Sequence, residues 1–376
     1  MAGGGTGGHL FPALALAGEF RKRDKDAEIT FVGGVGGIEE RLVPAYGYPL
    51  RLLNVEGIKR KSAARRVAAI YKAFKATIQA IGILRAIRPD GVIGSGSYSS
   101  APVVLAARLL GIKTAILEQN AIAGLTNRIL GKMADRIYIA FEEARGYFPP
   151  LRTVVTGNPL REDIIGRIAD KREKRIERNG GKFTVLVFGG SQGAKAVNAA
   201  FLDASEYLTD IWGDMRVIHQ TGEQGYDQAE AAYKRKKMKV ELHKFIDNMA
   251  DAYLSADLAV CRAGATSISE ITAFGLASIL VPYPFAADDH QDANAMSLAA
   301  KGAAVVIRQD KLTGQSLAGA IRRLYENRKE FNDVSASAKA IGRPRAAEVI
   351  ADNFLKILNP KSPQSPFRKG GGKRTA

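Results

Sequence analysis

Hydrophobic residues in this chain come in short runs separated by longer stretches of mixed polarity. Phe183-Thr184-Val185-Leu186-Val187-Phe188 is apolar on both of its faces, the pattern of a strand buried on both sides in a parallel sheet. Leu10 to Arg23 instead spaces its apolar residues and alanines for a helix. Shorter β-like runs at 29–32, 91–93, 114–117, 136–139, 154–156, 216–220, 258–260 and 277–281 alternate with helical patterns. Strands alternating with helices predict parallel, doubly wound sheets.

Two glycine-rich turns punctuate this pattern. Gly3-Gly4-Gly5-Thr6-Gly7-Gly8-His9 opens the first helix, and Gly189-Gly190-Ser191-Gln192-Gly193-Ala194 joins the apolar run at 183–188 to a helix from about Lys195. One unit therefore occurs twice. At 376 residues the chain exceeds the usual size of a single core, so an α/β architecture of two Rossmann-like domains is expected. The division is expected at Gly157-Asn158-Pro159, giving residues 1–157 and 158–358, with the last helix packing back on the first domain. Only Met1 and Ala2 precede Gly3, so the first strand is expected to be short or missing.

Glycines at a strand-to-helix turn let backbone N–H groups approach an anion, and the helix N-terminus adds about 0.3–1 kcal/mol of attraction. A single such loop is equally well a tight turn; two at matching places point to phosphate. Neither carries the Gly-Lys-Ser/Thr ending of a nucleoside-triphosphate loop. A dinucleotide enzyme expects a carboxylate at the end of the second strand, and Phe31-Val32-Gly33-Gly34 has none.

Composition narrows the setting. Cys261 is the lone cysteine, which excludes an intrachain disulfide and fits a reducing compartment. No apolar run reaches the roughly 18 residues of a spanning helix, and the N-terminus lacks the features of a signal peptide, so a soluble or peripheral protein is expected. The formal charge of +17 favours a polyanionic partner: nucleic acid, acidic lipid or a phosphorylated substrate. Residues 359–376, rich in Pro, Gly, Ser and basic side chains, read as a disordered tail.

Six ordered segments carry a more specific signal: GGGTGGHLFPALA from Gly3, LEQNAIAGLTNR from Leu117, TGNPLR from Thr156, FGGSQGA from Phe188, RAGATSISE from Arg262 and DDHQDANA from Asp288. Together they resemble the family of UDP-N-acetylglucosamine:undecaprenyl-diphosphoryl-muramyl-pentapeptide N-acetylglucosaminyltransferases, over about residues 3–355. The resemblance implies the GT-B fold of two facing Rossmann-like domains and an inverting transfer to the acceptor's C4 hydroxyl, without cofactor or metal. UDP-N-acetylglucosamine is then a co-substrate. It implies His9 as general base; Thr6, Gly7 and Gly8 as substrate-binding residues; and Asn120, Arg161, Ser191, Gln291 and the run Ala265, Thr266, Ser267, Ile268, Ser269 at the donor. Ile246 stands where the family's backbone recognises uracil, and Glu270 where an acid binds ribose. Leu117 replaces the family's usual histidine before Glu118.

Each residue also has a plainer reading: His9 as a helix-start residue, Asn120 in turn chemistry, Arg161 and Gln291 at the surface, Ile246 in the core, Glu270 as a helix cap. Asp24-Lys25-Asp26 imitates a metal motif, but its place at the charged end of a helix reads as solvated surface, and the four histidines show no metal spacing. Rival functions are another GT-B lipid glycosyltransferase, a UDP-N-acetylglucosamine epimerase, or a polyanion-binding module without catalysis.

From Gly57 to Pro89 there are nine basic residues and no acidic one. Lys59, Arg60, Lys61, Arg65 and Arg66 are expected to contact an anionic membrane surface. Val67, Ile70, Tyr71, Phe74, Ile78 and Ile81 form a helical stripe, either buried on the sheet or meeting headgroups. The implied location is the cytoplasmic face of the cell membrane. The implied partners are the UDP-sugar donor, the lipid-linked muramyl-pentapeptide acceptor, the membrane and cell-wall synthesis proteins, but not nucleic acid.

Overall fold

The computed structural model describes residues 1–55, 63–168, 181–190 and 193–359, with the side chains of 63–71 outside the description. The chain forms two compact units. The first holds Met1–Gln119, Ala123–Arg161 and the segment from Arg345; the second holds Asn120–Ile122 and Glu162–Pro344.

In the first unit six short strands run parallel: β1 (Phe31–Gly34), β2 (Leu50–Leu53), β3 (Gly91–Gly94), β4 (Lys113–Glu118), β5 (Arg136–Ile139) and β6 (Thr153–Val155). The expected missing strand is present as a stub. Ala2 bridges Val32 on one side and Gly94 on the other, both in parallel. Its N–H donates to Ile93 O at 2.8 Å, its carbonyl accepts from Ser95 N at 2.8 Å, and Met1 O accepts from Val32 N at 2.8 Å. The order is therefore β2-β1-stub-β3-β4-β5-β6, with three residues supplying the central position.

Helix α1 (Gly7–Arg23) follows the stub and buries Leu10, Leu14, Leu16, Ala17 and Phe20. The remaining helices of this unit are α2 (Glu39–Ala45), α3 (Ala63–Ile87), α4 (Ser100–Leu109) and α5 (Leu125–Gly131). The segment from Arg345 joins this unit through its helix, Ala346–Leu358: Phe354 meets Phe20 edge-on at 6.3 Å, Tyr138 Oη donates to Asn353 Oδ1 at 2.9 Å, and Arg23 pairs with Asp352. A side chain at Gly91 would collide with Phe354, its Cβ lying 2.6 Å from the ring. The contacts thus divide the chain after Arg161 and return it at Arg345, where the sequence pattern suggested 157/158. The apolar face of the last helix finds its complement in this unit.

The second unit's sheet is β9-β8-β7-β10-β11-β12, every neighbour parallel. β7 (Phe183–Phe188) is buried at all six positions, as its apolar run predicts. β8 (Met215–Gln220) and β9 (Glu241–His243) lie on one side; β10 (Leu258–Cys261), β11 (Ala277–Leu280) and β12 (Val305–Val306) lie on the other. The winding reverses between β7 and β10, the position at which open α/β sheets leave a crevice beyond their strand ends.

A polar network lies within this unit's core. His219 is fully buried between Tyr233, at 2.8 Å from Nδ1, and Asn198 Oδ1, at 3.2 Å from Nε2. Asn198 donates its own amide to Thr221 O at 2.8 Å, which turns Oδ1 toward the ring and places the histidine proton on Nε2. Burial pushes the imidazole down to about 3, so the folded protein keeps His219 neutral while the unfolded chain titrates near about 6.5. This contribution to stability is complete above about pH 6.5 and falls by up to about 1.4 kcal/mol per pH unit on acidification toward 3, because only the unfolded chain takes up the proton. Urea unfolding of the His219→Gln variant between about pH 4 and 7 is expected to show a shallower loss of stability with acid than the parent.

Candidate active site

In the first unit the winding reverses between the stub and β3, and the glycine loop, the β3–α4 turn and the end of β4 converge there. His9, in the first turn of α1 and half-buried, places Nδ1 3.1 Å from Gln119 Oε1. Gln119 is buried and donates its Nε2 to Ser95 O at 3.1 Å. That second bond fixes which end of the carboxamide faces the ring. Because Oε1 can only accept, Nδ1 carries the proton and the lone pair lies on Nε2, the form in which imidazole acts as a base. Ser95 belongs to a third glycine turn, Gly94-Ser95-Gly96-Ser97, in which Gly96 has φ +93°. The sequence shows this turn, but only the sheet order brings it beside His9.

Thr6 is the N-cap of α1 without a side-chain cap bond, and Gly7 and Gly8 form the helix's first residues. The first loop is not the open anion cradle that its glycines suggest. Glu39, at the start of α2 and 1% exposed, accepts from Gly5 N at 2.8 Å and from Gly34 N at 2.9 Å. A phosphate brought to the Gly5 amide, about 4 Å from that carboxylate, meets a repulsion on the order of 4 kcal/mol at an effective dielectric of about 20. The helix dipole returns about 0.3–1 kcal/mol, so repulsion wins at this amide. Nothing in the spacing of Glu39 announced this role.

Asn120 belongs with the second unit. Its Oδ1 accepts from Asn294 Nδ2 at 3.2 Å, the Asn294 carboxamide also reaches Ala263 O at 3.2 Å, and Ala121 N donates to Asn294 Oδ1 at 2.8 Å. Asn294 lies one turn from Gln291 on the helix His290–Ala299. Gln291 is half-buried, and its Oε1 accepts from Tyr283 N at 3.0 Å, which leaves its amide nitrogen as the donor end. Asn294, missed in the sequence, is thus the residue that gathers Asn120 and the 263–265 turn.

The second glycine loop follows β7 at the reversal point. Gly190 and Gly193 have φ of +89° and +74°, and a Cβ at Gly193 would stand 2.0 Å from Thr221 O, so both the conformation and the close approach demand glycine. Ser191 lies outside the described residues. Gln220 is buried at the end of β8; its Nε2 donates to Gly190 O at 2.9 Å and its Oε1 accepts from Ile246 N at 2.9 Å. The Ile246 N–H is therefore engaged within the protein, and Gln220 ties this segment to the loop.

Across the reversal point, the helix Ala265–Phe274 begins at Gly264 with no side-chain cap and no acidic residue in its first turn. Thr266 Oγ1 is buried without a partner, Ser267 is half-buried, Ile268 is buried, and Ser269 turns its hydroxyl back to Ala265 O at 2.8 Å. Glu270 is buried in the second turn and accepts from Tyr253 Oη at 2.9 Å. It is no helix cap; the tyrosine holds one carboxylate oxygen in place. Arg161, the last residue of the first unit, stands 5.6 Å over the Phe11 ring.

The Asp24-Lys25-Asp26 segment, read from sequence as solvated surface, closes on itself, Asp26 N donating to Asp24 Oδ1 at 2.9 Å. Among the described residues no group of three His, Cys, Asp or Glu is placed to hold a metal. Cys261 is fully buried, and burial pushes its thiol up.

Of the membrane residues, Lys59, Arg60 and Lys61 lie outside the described residues, as do the side chains of Arg65 and Arg66, and Val67, Ile70 and Tyr71 of the stripe share that standing. The described part of α3 buries Ala76, Thr77, Ala80 and Leu84. Phe74 and Ile78 are 64% and 55% exposed, so the stripe at these positions faces outward and does not pack on the sheet. No described helix is long and apolar enough to cross a membrane.

Residues 1–139 match the glycosyltransferase family 28 N-terminal domain, and residues 184–350 match its C-terminal domain. The UDP-N-acetylglucosamine--N-acetylmuramyl-(pentapeptide) pyrophosphoryl-undecaprenol N-acetylglucosamine transferase of Syntrophus aciditrophicus is 45% identical over 95% of this chain and 98% of its own length. The crystal structure of MurG from Acinetobacter baumannii aligns with a TM-score of 0.79 at 33% identity, covering 95% of this chain and 98% of that one. A putative UDP-N-acetylglucosamine 2-epimerase from Listeria monocytogenes gives 0.69 at 13% identity over 96% of each chain, a likeness of fold alone.

Asn294→Ala strands the Ala121 N–H and the Ala263 carbonyl, each worth about 1–3 kcal/mol when buried without a partner. Scanning calorimetry is expected to place its Tm several degrees below that of Gln291→Ala, whose partner Tyr283 is exposed.

Proposed function

This chain belongs to glycosyltransferase family 28, and we propose that it is an inverting transferase that moves N-acetylglucosamine from UDP-N-acetylglucosamine to the C4 hydroxyl of undecaprenyl-diphosphoryl-muramyl-pentapeptide. The observation that carries this reading is the His9–Gln119–Ser95 chain, in which Gln119 Oε1 holds the Nδ1 proton, so that the neutral form of the imidazole has its lone pair on Nε2. His9 takes the acceptor hydroxyl's proton as the oxygen attacks the anomeric carbon, and UDP leaves from the opposite side. Gln119 Oε1 holds the Nδ1 proton throughout and favours the imidazolium that forms. One base and one displacement suffice, without a covalent nucleophile or a cofactor.

The donor is assigned to the second unit. Ser191 and the amides of its glycine loop, with the uncapped start of the helix at Ala265, meet the diphosphate; Arg161 neutralises the departing charge. Glu270, held by Tyr253, accepts from the ribose hydroxyls; Ile246 meets uracil through its backbone; Asn120 and Gln291 meet hydroxyls of the sugar. On the acceptor side, Thr6, Gly7 and Gly8 border His9.

Docking on an anionic membrane at its cytoplasmic face is assigned to the basic segment at 59–66. The outward Phe74 and Ile78 support it, since apolar side chains beside basic ones suit the headgroup boundary. Cell-wall synthesis proteins are further partners on this reading.

Incubation with UDP-N-acetylglucosamine and a short-chain analogue of the lipid-linked acceptor is expected to release UDP. His9→Ala is expected to lose about 10²–10⁴-fold in kcat, the usual contribution of a positioned base, while titration calorimetry finds UDP affinity unchanged. Full activity in that variant removes His9 from the base role. Joint substitution of Phe74 and Ile78 by serine, or reversal of Lys59, Arg60, Lys61, Arg65 and Arg66 to glutamate, is expected to reduce sedimentation with anionic vesicles; binding equal to the parent's contradicts the docking surface.

A further inference from the structure

The glycines of the first unit are arranged around a side chain. A Cβ at Gly4 would lie 2.0 Å from Glu39 Oε1, one at Gly37 2.2 Å from Oε2, and one at Gly33 2.5 Å from Cγ. These three glycines come from three segments: the loop after the stub, the end of β1 and the turn into α2. The carboxylate in their midst accepts from Gly5 N with one oxygen and from Gly34 N with the other. The glycine-rich character of GGGTGG and GGVGG is therefore the room that an internal carboxylate needs, with backbone amides from two loops closing on it. Charge-assisted bonds of this kind are shorter and stronger than neutral ones, and burial removes the competition of water.

We infer that Glu39 is a positioning residue for the acceptor side of the reaction: its carboxyl group fills the space among the glycines of the first loop and sets the backbone from which α1 and His9 start. The path from carboxylate to base is short. Gly5 stands four residues before His9, Thr6 caps the helix, and His9 N and Leu10 N both donate to Thr6 O, at 3.2 and 3.1 Å. A shift of the Gly5 peptide moves the helix start and with it the imidazole that Gln119 must meet. The inference rests on the reading of His9 as the base.

The test uses the full chain with Glu39→Gln, which keeps the size and removes the charge, and Glu39→Asp, which keeps the charge on a shorter stem. UDP affinity is measured by titration calorimetry; kcat and both KM values come from UDP release. Glu39→Gln is expected to bind UDP like the parent and keep the donor KM, yet lose about 100-fold in kcat, the scale of a misplacement of about 1 Å. Glu39→Asp is expected to retain more turnover than Glu39→Gln. A Glu39→Gln enzyme with the parent's kcat overturns the proposal. Amide-proton NMR of the parent supplies a readout independent of turnover and of the variants' folding: Gly5 and Gly34 are expected downfield and slow to exchange, and fast exchange at both overturns the clamp. A parent that releases no UDP removes the transferase reading alone, and the two amides then decide the role of Glu39.

Discussion

His9, Gln119 and the helix that carries Glu270 owe their places to the point at which each parallel sheet reverses its winding. On either side of that point the connections leave in opposite directions, so loops from strands remote in sequence end at one crevice. In the second unit the reversal lies between β7 and β10, so that the turn after β7 at Gly189-Gly190 and the helix starting at Ala265 leave the same end of the sheet. In the first it lies between the three-residue stub and β3, and the whole arrangement hangs on the bonds that Met1, Ala2 and Gly3 make to Val32, Ile93 and Ser95. Without that stub β1 and β3 would lack a common neighbour, and His9 would have no fixed relation to Gln119.

The two glycine loops look alike in sequence and differ in electrostatics. The first already holds an anion, Glu39, and its Gly5 amide serves that carboxylate. The second is braced from beneath by neutral groups, the Gln220 carboxamide and the Thr221 carbonyl, and faces an uncapped helix start with a buried, unpartnered Thr266 hydroxyl.

Carboxamides carry much of the local order. Gln119 fixes the tautomer of His9, Gln220 joins the loop at Gly190 to the Ile246 segment, and Asn294 gathers Asn120, Ala121 and Ala263. Each satisfies at least two partners from separate segments, and each is buried, so the geometry is set by bonds that water cannot replace. Buried carboxyl groups contribute as well, at Glu39, Glu118 and Glu270, each held by donors within its own unit.

The sequence by itself determined the class of fold, the two glycine turns, the strand at 183–188 and the family, because these depend on local periodicity, on glycine's access to positive φ and on ordered motifs. It also singled out His9, Asn120, Glu270 and Gln291. It did not reveal that Glu39 occupies the first loop or that Phe74 and Ile78 face outward. Those facts are relations between segments far apart in the chain. An amphipathic stripe has the same period whichever way it faces, and a glutamate at a helix start reads as an ordinary first-turn acid until the sheet order places two glycine loops around it. Tertiary structure decided them because only the packed chain specifies which donor meets which carboxylate.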